Sequence, residues 1–354
     1  MKKLVILLAI LILPSVLFAA SLEYPSIVRS TKALGMGDAY YAMGEDQYTM
    51  FYNPAGLARI DNSRWSIISL QLGANNNLMD NKNAYSDTDW DDEAEVADFL
   101  RDIIGDYQNF NGTFFPAYYR KNFSLGVFAS AQVTGIARNK MFPELDTDAV
   151  IDYGIIGGIS RSFMSDRLDV GVSVILMNRS SLSETYSVAD IASDEFDEII
   201  EDDLEDGTGL LANVGVIYNI TPKNTSNLRV GAAVNNIGTT DMGDAEDLET
   251  TVNLSVAYSP TFGSISTDFV ADFRDVLMAN DQDSDIPKRI NLGAQATWKA
   301  LAVRTGLHQG YFTMGLGLDL RYVTLDYAYY QEEMGAYSGQ LEDERHVLTL
   351  SLGF

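Results

Sequence analysis

The feature that most narrows the folds open to this chain is a recurring two-residue alternation of apolar and polar side chains. Ile290, Leu292, Ala294, Ala296 and Trp298 fall on one face of an extended segment whose other face is Asn291, Gly293, Gln295 and Thr297, which is the period of a β-strand. Leu125, Val127, Ala129, Ala131 and Val133 alternate in the same way with Ser124, Gly126, Ser130, Gln132 and Thr134, and Ile265, Phe269, Ala271 and Phe273 with Ser266, Asp268 and Asp272. Near the end, Val323, Leu325, Tyr327 and Tyr329 oppose Thr324, Asp326, Ala328 and Tyr330. The polar faces are mostly small residues. A half-buried soluble sheet carries longer charged side chains on its wet face, so this pattern favours strands with lipid on one side and a lumen on the other.

About fourteen such segments occur, starting near Arg64, Thr113, Phe123, Ala149, Leu168, Leu210, Leu228, Thr251, Ser264, Arg289, Leu301, Tyr311, Tyr322 and Arg345. Each approaches the length that a tilted membrane strand requires. The connections alternate in length. Asn75 to Asn111, Arg138 to Thr147, Glu184 to Gly207, Gly238 to Glu249, Asp275 to Lys288 and Gln331 to Glu344 are long; Lys121-Asn122, Met164 to Arg167, Thr221 to Asn227, Ser259 to Gly263 and Lys299-Ala300 are shorter. His308 to Gly310 alone is short where length is expected. Short turns at one end and long loops at the other are the habit of barrels with an even strand count and a periplasmic N-terminus. The expected fold is therefore all-β, a transmembrane antiparallel β-barrel.

The N-terminus fits that compartment. Lys2 and Lys3 precede an apolar run from Leu4 to Phe18 and then Ala19-Ala20, the layout of a secretory signal peptide over residues 1–20. The competing reading, a membrane anchor, meets Pro14 in a run already short for a bilayer. No later segment is apolar enough for a transmembrane helix, and a chain of 354 residues without cysteine has neither a lipoprotein anchor nor structural disulfides.

A net charge of −26 argues against nucleic acid, which needs clustered Lys and Arg. The acid concentrates in Asp87 to Asp106, Asp190 to Asp206, Asp241 to Glu249, Asp275 to Asp285 and Glu332 to Glu344, all read as loops. Two of these loops show helical spacing, Val96, Phe99, Leu100, Ile103 and Ile104 in one and Ile191, Phe196, Ile199, Ile200 and Leu204 in the other, so each helix packs an apolar stripe on the barrel rim. Asp281-Gln282-Asp283-Ser284-Asp285 opens like a calcium loop, but Ile286 and Leu292 stand where such a loop needs glycine and glutamate, so no metal site is expected. With only His308 and His346 present and no serine in a nucleophile-elbow setting, no enzyme and no catalytic residue is expected; a pairing of His308 with Asp326 is the one arrangement to check. Without a nucleotide-binding loop, no cofactor is expected.

One stretch breaks the alternation. From Ser30 to Ile60, Gly35, Gly37 and Gly44 interrupt any long element, and Asn53-Pro54-Ala55-Gly56 signals a turn in which asparagine tolerates left-handed angles, proline fixes φ and glycine closes. This stretch folds compactly, as a plug within the wall. Ala33-Leu34-Gly35-Met36-Gly37, Ala39 and Asn53-Pro54-Ala55-Gly56-Leu57 resemble the N-terminal hatch of the FadL and PorV group of outer-membrane barrels. The closing Leu348, Leu350, Leu352 and Phe354 resemble the last strands of outer-membrane barrels, whose assembly machinery is associated with a terminal phenylalanine.

The resemblance implies residues 21–62 as a periplasmic-side hatch inside a barrel of residues 63–354, in the outer membrane of a Gram-negative, diderm bacterium and in contact with its lipids. It implies passive uptake of hydrophobic small molecules such as long-chain fatty acids, with the two loop helices as first contacts. The alternative it leaves open is a PorV-like role in type IX-like secretion, with secreted proteins as partners. Met36, Tyr40, Tyr41, Met43, Phe51, Tyr52 and Leu57 are the candidate ligand contacts, since thioethers and broad rings suit variable apolar ligands, although a plug must fill its barrel in any case. Arg229 and Arg304 point inward as lumen cations that either meet a ligand carboxylate or pair with the inward Asp268, Asp272, Asp319 and Asp326.

Overall fold

A computed structural model describes residues 23–44, 46–221, 227–238, 242–243, 245–280 and 285–354. The expected signal peptide, residues 1–20, and Asp281 and Asp283 of the acidic loop lie outside the described residues. The strands are β1 (Arg64–Asn75), β2 in two pieces (Tyr107–Phe114 and Ala117–Arg120), β3 (Phe123–Arg138), β4 (Glu144–Phe163), β5 (Leu168–Ser187), β6 (Glu205–Asn219) and β7 (Asn227–Gly238). They continue as β8 in two pieces (Thr251–Ser259 and Thr261–Phe262), β9 (Ile265–Phe273), β10 (Ile290–Trp298), β11 (Leu301–His308), β12 (Tyr311–Asp319), β13 (Val323–Glu333) and β14 (Glu342–Gly353). Sixteen strand segments thus make fourteen antiparallel strands, each paired with its sequence neighbour, and β14 closes on β1 from Ser66–Gly353 to Asn75–Arg345. No helix of the described residues is long and apolar enough to cross a membrane.

The burial is that of a membrane wall. In β10, Ile290, Leu292 and Trp298 are exposed while Asn291, Gly293 and Gln295 are buried. In β3, Leu125 and Val127 face out and Ser124 and Gly126 face in. Buried amides and hydroxyls bond across the lumen, and the bare apolar faces await lipid.

The wall is uneven in height. β4 and β5 each have 20 residues, about 66 Å along the strand and about twice the ~25 Å apolar band once tilted. β9 to β12 have only eight or nine residues and barely span it. Above the membrane the outer face of β3–β5 still carries apolar side chains: Val133 stands opposite Ala149, and Ala149 opposite Leu182. The helix Glu93–Asp102 and the helical pieces Val188–Ile191 and Phe196–Asp203 cover this face, burying Val96, Phe99, Leu100 and Ile191 with Leu145, Leu182 and Tyr186 in one cluster. The expected helices exist, but they clasp the outside of a raised wall and their apolar stripes face that wall.

Several strands begin earlier than expected, β2 at Tyr107, β4 at Glu144, β6 at Glu205 and β14 at Glu342, because alternation against lipid fades where a strand rises out of the bilayer. For the same reason Glu332, Glu333 and Asp343, expected in a solvated loop, are buried at the ends of β13 and β14. The seam beside β1 is irregular: Ile67 and Ile68 both point outward at a bulge, and β2 breaks at Phe115-Pro116 next to it.

Candidate functional site

The barrel is filled by residues 23–60. Three short turns, Thr31–Leu34, Thr49–Tyr52 and the 3-10 turn Pro54–Arg59, fold the chain back on itself. Such short helices leave carbonyls unbonded, and the wall satisfies them. Ser173 Oγ and Asn213 Nδ2 donate to Met50 O at 2.7 and 2.9 Å, and Asn235 Nδ2 donates to Phe51 O and Tyr52 O, both at 2.9 Å. Asp272 of β9 accepts from the amides of Tyr40 and Tyr41 at 2.6 and 3.0 Å.

The Asn-Pro-Ala-Gly turn works differently from its expected geometry. Asn53 is extended (φ −142°), not left-handed, because a following proline disfavours helical angles. Its Oδ1 accepts from Ala55 N at 3.1 Å and its Nδ2 donates to Tyr41 O at 2.7 Å, so it caps one turn and ties it to the other half of the plug. Gly56 closes by proximity: a Cβ there would lie 2.4 Å from Met43 O. Gly37 does have a left-handed angle, φ 66°, and a Cβ on it would lie 2.4 Å from Leu307 O of the wall. Gly35 likewise rests against Gly315.

Met36, Tyr40, Tyr41, Met43 and Tyr52 are all buried in one cluster with Ala233, Ala257 and Val270 of the wall, and Phe51 packs against it half-buried. Leu57 lies in a second cluster with Met50, Phe115, Ile156 and Leu211. Where it packs on the plug, the wall on the β2–β6 side presents this apolar cluster, where small polar residues were expected. The plug therefore sits between an apolar wall and the ionic wall of β9–β14. Of these candidates, Tyr41, Phe51 and Tyr52 line a cavity of about 60 Å³ among the described residues. Arg229 and Arg304 do point inward and both are paired: Arg229 donates to Ala42 O at 2.6 Å and to Ser259 Oγ at 2.5 Å, and Arg304 Nη1 donates to Asp326 Oδ1 at 2.7 Å. His308 is brought to Glu332, at 3.2 Å, and to Arg29, at 3.1 Å; Asp326 is engaged with Arg304 instead.

Three features were not singled out from the sequence. The first is a strap, residues 23–29, that runs through the long-loop end, which by the loop rule is the outer end. Glu23 pairs with Arg345 at 2.7 Å, Arg29 with Glu332 at 2.8 Å, and Arg274 lies 3.8 Å over the Tyr24 ring. The second is the loop after β7, whose Met242, Ala245 and Leu248 tuck into the lumen cluster; apolar residues three apart in an acidic loop were its available signal. The third is a vestibule of about 530 Å³ between the raised wall, the strap and that loop. Tyr24 to Ile27 also line the aromatic cavity, so the strap is the partition between the two spaces. At the opposite end, cavities of about 300 and 70 Å³ share Lys32, Asp319, Thr324 and Asp326.

A closed fourteen-stranded barrel stoppered by its own N-terminal segment is the class that these elements define. Its fold is similar to that of a monoaromatic hydrocarbon channel, CymD, with 12% identity over 93% of this chain and 98% of that one and a TM-score of 0.53. It is also similar to a toluene transporter of Ralstonia pickettii, TbuX, with 13% identity over 94% and 98% of the two chains and a TM-score of 0.51. A FadL homologue of Pseudomonas aeruginosa superposes more loosely, at 12% identity over 95% and 99% and a TM-score of 0.49. No family model and no curated protein sequence matches the chain. The first two of these proteins are a channel and a transporter.

Proposed function

We propose that the protein is an outer-membrane transporter for passive uptake of hydrophobic small molecules, a FadL-type barrel in a diderm bacterium. The observation that carries this reading is the contact of the aromatic cavity at Tyr41, Phe51 and Tyr52 with a strap that divides it from an open vestibule. A hydrophobic molecule gathered at the outer end reaches the plug's aromatic face when Tyr24 to Ile27 give way, since about 60 Å³ is too small for a ring with substituents unless the partition moves. The irregular seam at Ile67-Ile68 and Phe115-Pro116, beside the plug, is the candidate way out toward lipid. The finer expectation of long-chain fatty acids rests on the resemblance alone, as does recognition of Phe354 by the assembly machinery.

Native mass spectrometry of the detergent-purified barrel tests the reading. Bound lipid-like or aromatic molecules, lost in Phe51→Asp, support it. An empty barrel carrying a stoichiometric protein sinks it and promotes the second reading, a PorV-like partner of secreted proteins. That reading draws on the tip of the β3–β4 hairpin, where Met141 and Phe142 are 80% and 74% exposed.

A further inference from the structure

Resting on the transport reading and narrowing it, we propose that the outer vestibule is an anion-excluding filter, so that the cargo is uncharged or cationic and carboxylates are turned away. Two separate observations meet here. The vestibule lining holds eight carboxylates, Glu23, Asp148, Asp152, Glu184, Asp203, Glu205, Glu246 and Asp247, and among its described residues Arg179 is the one cation. That guanidinium is already bound by both oxygens of Asp152, at 2.8 Å each. A cavity with one sign of charge and low-dielectric walls concentrates its field on whatever enters. The Glu246 carboxyl is pushed above its ordinary value, by burial first and then, against the pull of Arg179, by Asp148, Asp152 and Asp247.

The second observation concerns the lumen beyond the strap, where the cations are already engaged. Arg29 pairs with Glu332, Arg345 with Glu23 and Asp343, Arg289 with Asp275, and Arg304 with Asp326, all at 2.7–2.8 Å. Arg229 donates to Ala42 O and Ser259. An entering carboxylate gains one of these cations only by displacing a buried partner and leaving that partner stranded, and Arg274, at the aromatic cavity, already faces Asp38 at 3.8 Å and the Tyr24 ring. Nothing in this arrangement opposes a neutral molecule, and a cationic head is drawn inward.

The chain contains no cysteine, so Ser130→Cys or Ser183→Cys, both lining the vestibule, places a single thiol in the full barrel. Labelling rates are compared for a trimethylammonium and a sulfonate methanethiosulfonate, each relative to its rate with free cysteine. The cationic reagent is expected to be favoured about tenfold at low salt, with the bias shrinking at about 1 M salt and in a Glu246→Gln/Asp247→Asn background. Equal relative rates at both positions overturn the filter whatever becomes of transport. The cargo is read separately, by native mass spectrometry with one alkylbenzene skeleton carrying an alcohol, an ammonium or a carboxylate. Binding of the first two without the third supports the assignment, and binding of the carboxylate as well as the alcohol overturns it. Binding of none, with labelling still biased, overturns the transport reading and the cargo assignment with it.

Discussion

Asn53 and the glycines around it show how much of the plug depends on single side chains. Pro54 holds Asn53 extended, and that conformation frees the amide to cap Ala55 and bond Tyr41 O. Wall glycines receive the plug in the same backbone-to-backbone manner: a Cβ on Gly293 would lie 2.4 Å from Met36 O. Gly293→Val is therefore expected to push the plug off β10 while the barrel still forms, with proteolysis of residues 30–60 rising and the heat-dependent gel shift of the folded barrel retained. A plug as protease-resistant as before counts against this clamp. At the outer end, Asp275 accepts from the amides of Ala279 and Asn280, each at 3.0 Å, and from Arg289 at 2.7 Å. Burial raises its carboxyl, but these hydrogen bonds outweigh burial and hold it below its ordinary value. A depressed folded value means that the stabilisation is complete above the unfolded value of about 3.9 and is lost as pH falls through the folded one. Protease resistance of the loop after β9 is expected to be flat from neutral pH to about pH 5 and to fall only below about pH 4. In Asp275→Asn it should be weak at every pH, and a wild-type decline already complete above pH 5 would show another group in control.

Among the elements, the collar of helices and the strap have opposite logics. The collar exists because β3–β5 outgrow the bilayer and keep an apolar outer face that water would otherwise meet. Phe99, packed on Tyr85 and Trp90 at ring distances of 4.8 and 5.2 Å, is the natural place to loosen it. Phe99→Ala is expected to cost about 3–5 kcal/mol, enough to free a ten-residue helix, so that protease cuts appear between residues 88 and 106 without loss of the barrel. The strap is held by charge. Arg345→Ala leaves Asp343 buried without its cation and Glu23 with only the longer contact to Arg29 at 3.4 Å, a loss of about 3–5 kcal/mol, and faster amide exchange over residues 24–28 is the expected readout. Unchanged exchange there would show that Arg29 and the cation over Tyr24 suffice without Arg345.

At the scale of the whole molecule, the plug is the seal between the outer vestibule and the inner cavities. The intact chain is expected to be silent in planar bilayers, and a barrel lacking residues 30–60 to conduct ions steadily. Steady conductance of the intact protein would place the seal elsewhere. The barrel itself was legible in the sequence because each membrane strand records two solvents in alternate residues: Leu125 and Val127 against Ser124 and Gly126 need no tertiary information to be read. Arg229 and Arg304 were legible as inward-facing by the same period. Their partners were not, nor were the pairs of His308 with Glu332 and Glu23 with Arg345, which bring together residues 24 and 322 positions apart.

What the chain determines by itself is therefore everything periodic or local: fourteen strands, their faces, the rhythm of long and short connections, the compact stretch at Asn53-Pro54, and two loop helices. Tertiary structure alone decided where each of these was spent. It turned the helices onto the outside of a raised wall, drew Glu332 and Asp343 from an apparent solvent loop into the lumen, and set the plug between an apolar patch of one wall and the ion pairs of the other. The reason is physical. A side chain's alternation reports which side of the strand it is on, whereas its partner depends on which strands the closing of the barrel brings across from it.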